Sequence, residues 1–360
     1  MKRWAQSAVA VASALLTGVG VFCVAVRVPA GTGQKAAAAA AGFILPAGNI
    51  NGFKSIEEED DTISSGPARS SSTAEVALPS SSSGAASTSS LPTVSSGKLP
   101  TASIAPKTTG KVLELSIGNS GTQVGSMWIK NSTDHHKSIN FLQELQKPPA
   151  VQIQKNTTAP QVLIYHTHTT ESYDNSERST DRSRSVCAVG NCIAQQLQAA
   201  GIGVVHDTTY HDYPAYDGSY DRSKATMQKD LKKYPSIRVT LDIHRDAMHR
   251  DDGTRLKSTM LVGGKKAAQM MVLAGCDDDG TLGFPNWECN LRLALRLQNV
   301  LSTNYPGLAR PLDFCARRYN EDMTKGSLLI EIGTDANTLD ESKYTGNLLG
   351  QALAQVLGSS

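Results

Sequence analysis

The chain has 360 residues, long enough for two domains, and a formal net charge of only +2. No basic stripe with interleaved aromatic residues runs along it, which excludes nucleic acid as the partner class. An enzyme or a binding module acting on small molecules or uncharged polymers remains.

Lys2-Arg3-Trp4 precede a small-apolar run that reaches Val26 before Arg27 interrupts it. About 20 apolar residues cross a bilayer. Residues 1–30 are therefore read as a single-pass membrane signal anchor, with its basic flank inside and the rest of the chain outside the cytoplasm. A cleaved secretory signal peptide is the alternative. Residues 31–103 are dominated by Ala, Ser, Gly, Thr and Pro, with one acidic cluster from Glu57 to Asp61. Such a stretch buries too little apolar surface to offset its ordering entropy and is predicted to be a disordered tether.

Residues 104–158 form a small preface segment packed on the main domain. In it Val112 to Ile117 alternate as a strand, Ile139 to Leu145 read as a helix, and Pro148-Pro149 break the chain. The adjacent His135-His136 lie in a polar stretch and are read as solvated rather than as ligands.

From residue 159 to 360 the pattern is regular. Apolar runs at Val162–Tyr165, Ile202–Val205, Ile237–Ile243, Thr259–Val262 and Leu328–Ile332 read as strands. Between them Val186, Val189, Ile193, Leu197 and Ala200 recur at helical spacing before Gly201, as do Trp287, Leu291, Ala294, Leu295 and Leu301. Leu348, Leu349, Ala352 and Val356 mark a final helix. Strands alternating with helices predict a three-layer α/β domain with a largely parallel central sheet. Of the six cysteines, Cys23 belongs to the apolar amino-terminal run; Cys187 and Cys192 fall on different faces of one helix, and Cys276 with Cys289 is the expected disulfide. No CxxC pair speaks for a cysteine zinc site.

Chemistry concentrates where strands end. YHTHTTESY, Tyr165 to Tyr173, places His166, His168 and Glu171 after the first buried strand. His168 and Glu171 are three apart, a spacing that lets one metal ion reach both if the chain turns helically. His244 ends the run Val239 to Ile243, and Glu331 interrupts Leu328 to Ile332, where an unpaired carboxylate is costly to bury. Together these predict a zinc site of His168, Glu171 and His244 with one position open for water, and Glu331 as general base and acid in amide hydrolysis. His166 is read as orienting a ligand or substrate. Arg245 is either an oxyanion or carboxylate contact or one half of an ion pair. His206, His211, Asp207 and Asp212 are a polar frame or a second metal site, and Asp174 and Glu177 are fallback ligands.

Seven segments in order resemble the stage II sporulation protein P family: VLIYHTHTTESY at 162–173, GIGVVHDTTYHDYPAYDGSYDRS at 201–223, LDIHRDA at 241–247, PNWECNLRLALRLQ at 285–298, YPGLARP at 305–311, RYNED at 318–322 and LLIEIGTDANTLDES at 328–342. The resemblance implies a membrane-anchored, zinc-dependent N-acetylmuramoyl-L-alanine amidase with an associated endopeptidase activity on peptidoglycan. It implies a catalytic domain like those of zinc amidases and carboxypeptidases, placed at the sporulation septum and the engulfing membrane. It also implies work alongside stage II sporulation proteins D and M in forespore engulfment. Carried over by position, His168, Glu171 and His244 resemble the zinc ligands and Glu331 the catalytic glutamate. Asn320 resembles a substrate contact, although Glu321 follows it where the family often has glutamine. Related amidases take their ligand glutamate from the following helix, but no glutamate lies between Val186 and Ala200, which favours Glu171. A stem-peptide metallocarboxypeptidase, with Arg245, Arg310 and Arg318 available for a terminal carboxylate, and a non-catalytic wall-binding protein are the competing readings.

Overall fold

A computed structural model describes residues 54–55, 98–157 and 159–358. The expected anchor and nearly all of the expected tether lie outside the described residues. Among the described residues no helix is long and apolar enough to cross a membrane. In chain order the strands before the first helix are β1 (Lys54–Ser55), β2 (Thr101–Ser103), β3 (Lys107–Thr109), β4 (Val112–Leu115), β5 (Thr122–Val124) and β6 (Met127–Asn131). Then come α1 (Phe141–Gln146), β7 (Val162–Tyr165), α2 (Val186–Ala199), β8 (Val204–His206), α3 (Ser219–Lys233), β9 (Val239–Asp246) and β10 (Met248–His249). The remainder are β11 (Arg255–Val262), β12 (Lys265–Ala268), β13 (Met270–Gly275), α4 (Trp287–Asn304), β14 (Leu312–Cys315), β15 (Ser327–Thr334) and α5 (Leu339–Gly358).

The large sheet runs β5-β6-β14-β13-β15-β9-β7-β8. Its neighbours are parallel except for β5 against β6 and β13 against β15, so the expectation of a largely parallel sheet holds. The central strands β7, β9 and β13 are buried at every position, the pattern of a sheet covered on both faces. Strand period assigns those faces. Val162 and Ile164 join the cluster that holds Val186, Val189 and Ile193 of α2 and the apolar stripes of α4 and α5. Leu163 and Tyr165 instead meet Met227 of α3. The domain is therefore three-layered, with α2, α4 and α5 on one face of β7 and its neighbours and α3 on the other.

Several elements differ from the expectation. Thr259–Val262 belongs to β11, which lies in a second sheet ordered β1-β10-β11-β4-β3, with β2 and β12 also pairing β11. The reason is local: Gly263 and Gly264 both take positive φ and close a two-residue hairpin that pairs Val262 with Lys265, turning the chain back instead of across to the large sheet. The preface contributes to both sheets, β4 beside β11 and β6 beside β14. β13, β14 and α3 had no counterpart in the sequence reading. The expected Cys276–Cys289 disulfide is absent; both are free thiols, as are Cys187, Cys192 and Cys315. Cys276 directly follows β13 while Cys289 sits in the first turn of α4, beyond the Asp277–Pro285 loop.

The helices α2 and α5 cross closely because two glycines of α5 leave room. A Cβ at Gly350 would fall 2.6 Å from Gln196 Cβ and 3.0 Å from the Ile193 carbonyl oxygen. Gly350→Val should therefore cost about 1–3 kcal/mol by overpacking, read as a lowered urea midpoint. An unchanged midpoint would mean that the helix pair is loosely packed.

Candidate active site

The site is built on the α3 face, where β7, β9 and β15 end together. In the β9–β15 register His244 pairs with Glu331, so the two side chains stand next to each other on one face. Asp242 lies two residues before His244, on the same face by strand period. After Tyr165 the chain leaves the sheet in a tight turn, and the Glu171 amide donates to the His168 carbonyl. The turn brings the ring of His168 across to that of His244, with centroids 5.2 Å apart at 83°.

His244 stands between two carboxylates. Its Nε2 is 2.9 Å from Asp242 Oδ1, without hydrogen-bond alignment, and its Nδ1 is 3.6 Å from Glu171 Oε2. Burial opposes its charge, but Asp242 and Glu171 outweigh burial and raise its pKa well above that of an ordinary histidine. Against the same burial, the His244 charge holds the Glu171 carboxyl well below the usual range. Asp242 is itself fixed by the Thr167 amide at 2.8 Å and the Thr167 hydroxyl at 2.6 Å.

His168 is the opposite case. Burial pushes its pKa down to about 4, so its imidazole is neutral at neutral pH. The ring stacks on Tyr216 at 4.6 Å and 6°, with the Tyr216 hydroxyl 3.0 Å from Nε2, and Arg178 lies over that tyrosine's ring at 4.0 Å. Nδ1 of His168 is buried with no hydrogen-bond partner. Glu331 Oε2 is likewise buried and unpartnered, and burial raises this carboxyl to about 8 despite the charge of His244.

A neutral imidazole, an ionised carboxylate and a second imidazole backed by an aspartate, which would release its proton when the ion binds, form a donor set suited to zinc. The orphaned Nδ1 of His168 fits the same ion. The donor atoms of His168, Glu171 and His244 do not all fall within 4.8 Å of one another; among the described residues that spacing is met by His136, Cys276 and Asp278.

The other expected site residues are placed elsewhere. His166 continues the alternation of Val162 and Ile164, so it faces α2, opposite to His244. It is fully buried there, with Nδ1 2.8 Å from the Ile243 carbonyl and Nε2 2.8 Å from His206 Nε2, and it does not enter the cleft. Gly190 makes this possible, since a Cβ there would meet His206 at 2.7 Å and His166 at 3.0 Å. Arg245 turns its guanidinium to the carbonyls of Ser172 at 3.1 Å and Glu177 at 2.6 Å, while its amide donates to Glu171 Oε2 at 3.0 Å. It thus braces the loop that carries Glu171. The Asn320 amide donates to the Tyr220 carbonyl at 2.9 Å and Ser223 Oγ at 3.1 Å, tying the start of α3 to the turn before β15. Glu321 beside it accepts from the amides of Gly275 and Leu329.

His211 and Asp212 form the polar frame: His211 Nδ1 lies 2.7 Å from the His166 carbonyl, and Asp212 accepts from the amide and hydroxyl of Thr170. Asp174 and Glu177 are exposed, with Glu177 facing Arg255. Asp242 is the residue that the sequence reading passed over. The argument that singled out Glu331, a carboxylate inside an apolar strand, applies equally to it.

The low pKa of His168 has a measurable sign. The unfolded chain takes up this proton near 6.5 and the folded chain near 4, so between those values the unfolded state binds more protons and stability falls as pH falls. In chelator-treated protein, His168→Gln should flatten the decline between pH 6.5 and 4 by about 2 kcal/mol, read from urea midpoints. An unaltered pH slope would show that the buried imidazole is not neutral.

Comparison with known proteins places the chain. The family model described as Stage II sporulation protein P matches residues 102–354. The stage II sporulation protein P of Bacillus subtilis (strain 168) is 29% identical over 224 residues, 56% of this chain and 53% of that protein, so the match spans about half the length of the relative. Among solved structures, the N-acetylmuramoyl-L-alanine amidase AmiC2 of Nostoc punctiforme aligns over 56% of this chain and 96% of its own, at 14% identity and a TM-score of 0.33. The CwlD amidase from Clostridioides difficile, in complex with the GerS lipoprotein, aligns over 55% and 94%, at 11% identity and a TM-score of 0.32. These structural scores are too low to bear on activity. The family match covers well over half of the chain and includes every residue of the site just described, and on that ground the chain belongs to the stage II sporulation protein P family.

Proposed function

We propose that this protein is a zinc-dependent peptidoglycan hydrolase, an N-acetylmuramoyl-L-alanine amidase with an associated endopeptidase activity, that removes septal wall during sporulation and forespore engulfment. The observation that carries the reading is the meeting of His168, Glu171, His244 and Glu331 at one sheet edge, with His168 Nδ1 and Glu331 Oε2 buried and unpartnered. His168, Glu171 and His244 would hold zinc. When bound, the ion would polarise the scissile amide carbonyl and lower the pKa of water to about 7. Asp242 holds the Nε2 side of His244 and leaves its Nδ1 side to the site.

Glu331 takes a proton from the attacking water and returns it to the departing amine nitrogen, so it ends each cycle as it began. A carboxyl raised toward neutrality by burial is suited to both transfers. Tyr216, stacked on His168 and itself partly exposed, forms a rim on which a sugar or peptide can lie. In this reading residues 1–30 anchor the chain, residues 31–103 tether it and residues 159–360 carry the reaction, with 104–158 as the preface. Peptidoglycan is the substrate, and stage II sporulation proteins D and M are the proposed partners.

The carboxypeptidase alternative needs a free cationic pocket, and its three arginines are occupied. Arg310 pairs with Asp246 at 2.8 Å, Arg318 donates to the Leu282 carbonyl, and Arg245 serves the Glu171 loop.

Purified wall digested with the full chain should yield free glycan strands and intact stem peptides, and a chelator should suppress both. Glu331→Gln should lower the rate by about 10²–10⁴, and Asp242→Asn by about 10–100 through weaker metal retention. Release of terminal stem residues alone, or full activity in Glu331→Gln, would sink the proposal.

A further inference from the structure

The large sheet has a second edge where strands end. β13 runs antiparallel to β15, while β14 and β6 run parallel to β13, so these three strands end at the edge where β15 begins. That edge is opposite to the one bearing His244 and Glu331. The loop after β6 carries His136, and the loop after β13 opens with Cys276-Asp277-Asp278. Donor atoms of His136, Cys276 and Asp278 all lie within 4.8 Å of one another. Cys276 is fully buried, and its thiol makes no hydrogen bond among the described residues. The cluster is held from outside. Asp278 accepts the amides of Asp134 at 2.8 Å and His135 at 3.0 Å, clasping the loop that presents His136, and the His136 ring rests on Trp287 at 4.7 Å.

We propose that His136, Cys276 and Asp278 form a second metal site, structural rather than catalytic, that takes a borderline divalent ion, with zinc first. Thiolate and imidazole beside one carboxylate suit zinc or cobalt; magnesium and calcium call for oxygen donors throughout. The remaining coordination falls to water, since His136 and Asp278 are only partly buried. On binding, the S–H bond of Cys276 breaks, its proton leaves to solvent and a sulfur–metal bond forms, with no change of oxidation state. The site would staple the loop after β6 to the loop after β13, across the 139 residues of sequence between His136 and Cys276. It departs from two sequence readings, that His135-His136 are solvated and that the lack of a CxxC pair speaks against a cysteine zinc site. It shares no donor with the proposed catalytic site and stands whether or not that proposal does.

The test uses the full chain, stripped of metal by a chelator and titrated with cobalt(II). A near-ultraviolet thiolate-to-cobalt absorption should appear, and it should persist in a His168→Ala, His244→Ala double variant, whose altered residues offer no sulfur. Cys276→Ala should abolish it, Cys289→Ser should retain it, and His136→Ala should weaken cobalt binding about tenfold or more. Absence of the band in the unaltered chain, or its survival in Cys276→Ala, would overturn the proposal. Because Cys276 is in the core and truncating it risks the fold, His136→Ala decides the matter independently: unchanged cobalt affinity there would overturn it too.

Discussion

The pairing of β9 with β15 is the constraint on which the site depends. It sets His244 opposite Glu331 and, through strand period, puts Asp242 on the same face. A one-residue slip would send these polar groups among the apolar side chains under α2, α4 and α5, and would move Ile243 and Ile330 into the polar site on the α3 face in exchange. Register is therefore protected by the same burial that perturbs the site's ionisation. Burial makes His168 neutral and Glu331 reluctant to ionise, while the two carboxylates beside His244 keep that ring charged. Two histidines 5.2 Å apart thus differ in charge because only one of them stands between carboxylates.

The loop from Thr167 to Ser185 carries half of the site and has little regular structure, so its shape is imposed by neighbours. Asp242 grips Thr167, Asp212 grips Thr170, and Arg245 takes the carbonyls of Ser172 and Glu177. These partners come from β9 and from the loop after β8. Each is a charged group satisfied by backbone or hydroxyl atoms, which fixes loop geometry without requiring a charge on the loop itself. Residues that looked chemical in sequence, Arg245 and Asn320 among them, act here by holding the frame.

The change of strand direction between β13 and β15 gives the sheet two edges with different loops. In a wholly parallel sheet the loops that follow the strands all gather at one edge. Here the carboxyl ends of β7, β9 and β15 carry the histidine and glutamate constellation, and those of β6 and β13 carry His136, Cys276 and Asp278. The two groups lie at opposite ends of the strands, so one fold would hold the proposed reactive centre and the proposed metal link between loops without either sharing a donor with the other.

Much of this was legible in the sequence. Apolar runs and helical spacings located β7, β9, β15, α2, α4 and α5, because burial on both faces leaves an uninterrupted apolar signal. Polar residues that break or end those runs marked His168, His244 and Glu331. Strand parity alone would have turned His166 away from the cleft, since it continues Val162 and Ile164, and would have added Asp242 to His244. Other features had no local signal. Whether Thr259–Val262 joined the large sheet, whether Cys276 met Cys289 or His136, and whether Arg245 faced substrate or backbone depended on pairings between segments far apart in the chain. Sequence determined which residues must be buried and on which face of their own strand; tertiary structure decided which strands lie side by side and in which direction. Periodicity is a property of one segment, whereas a site is made by several.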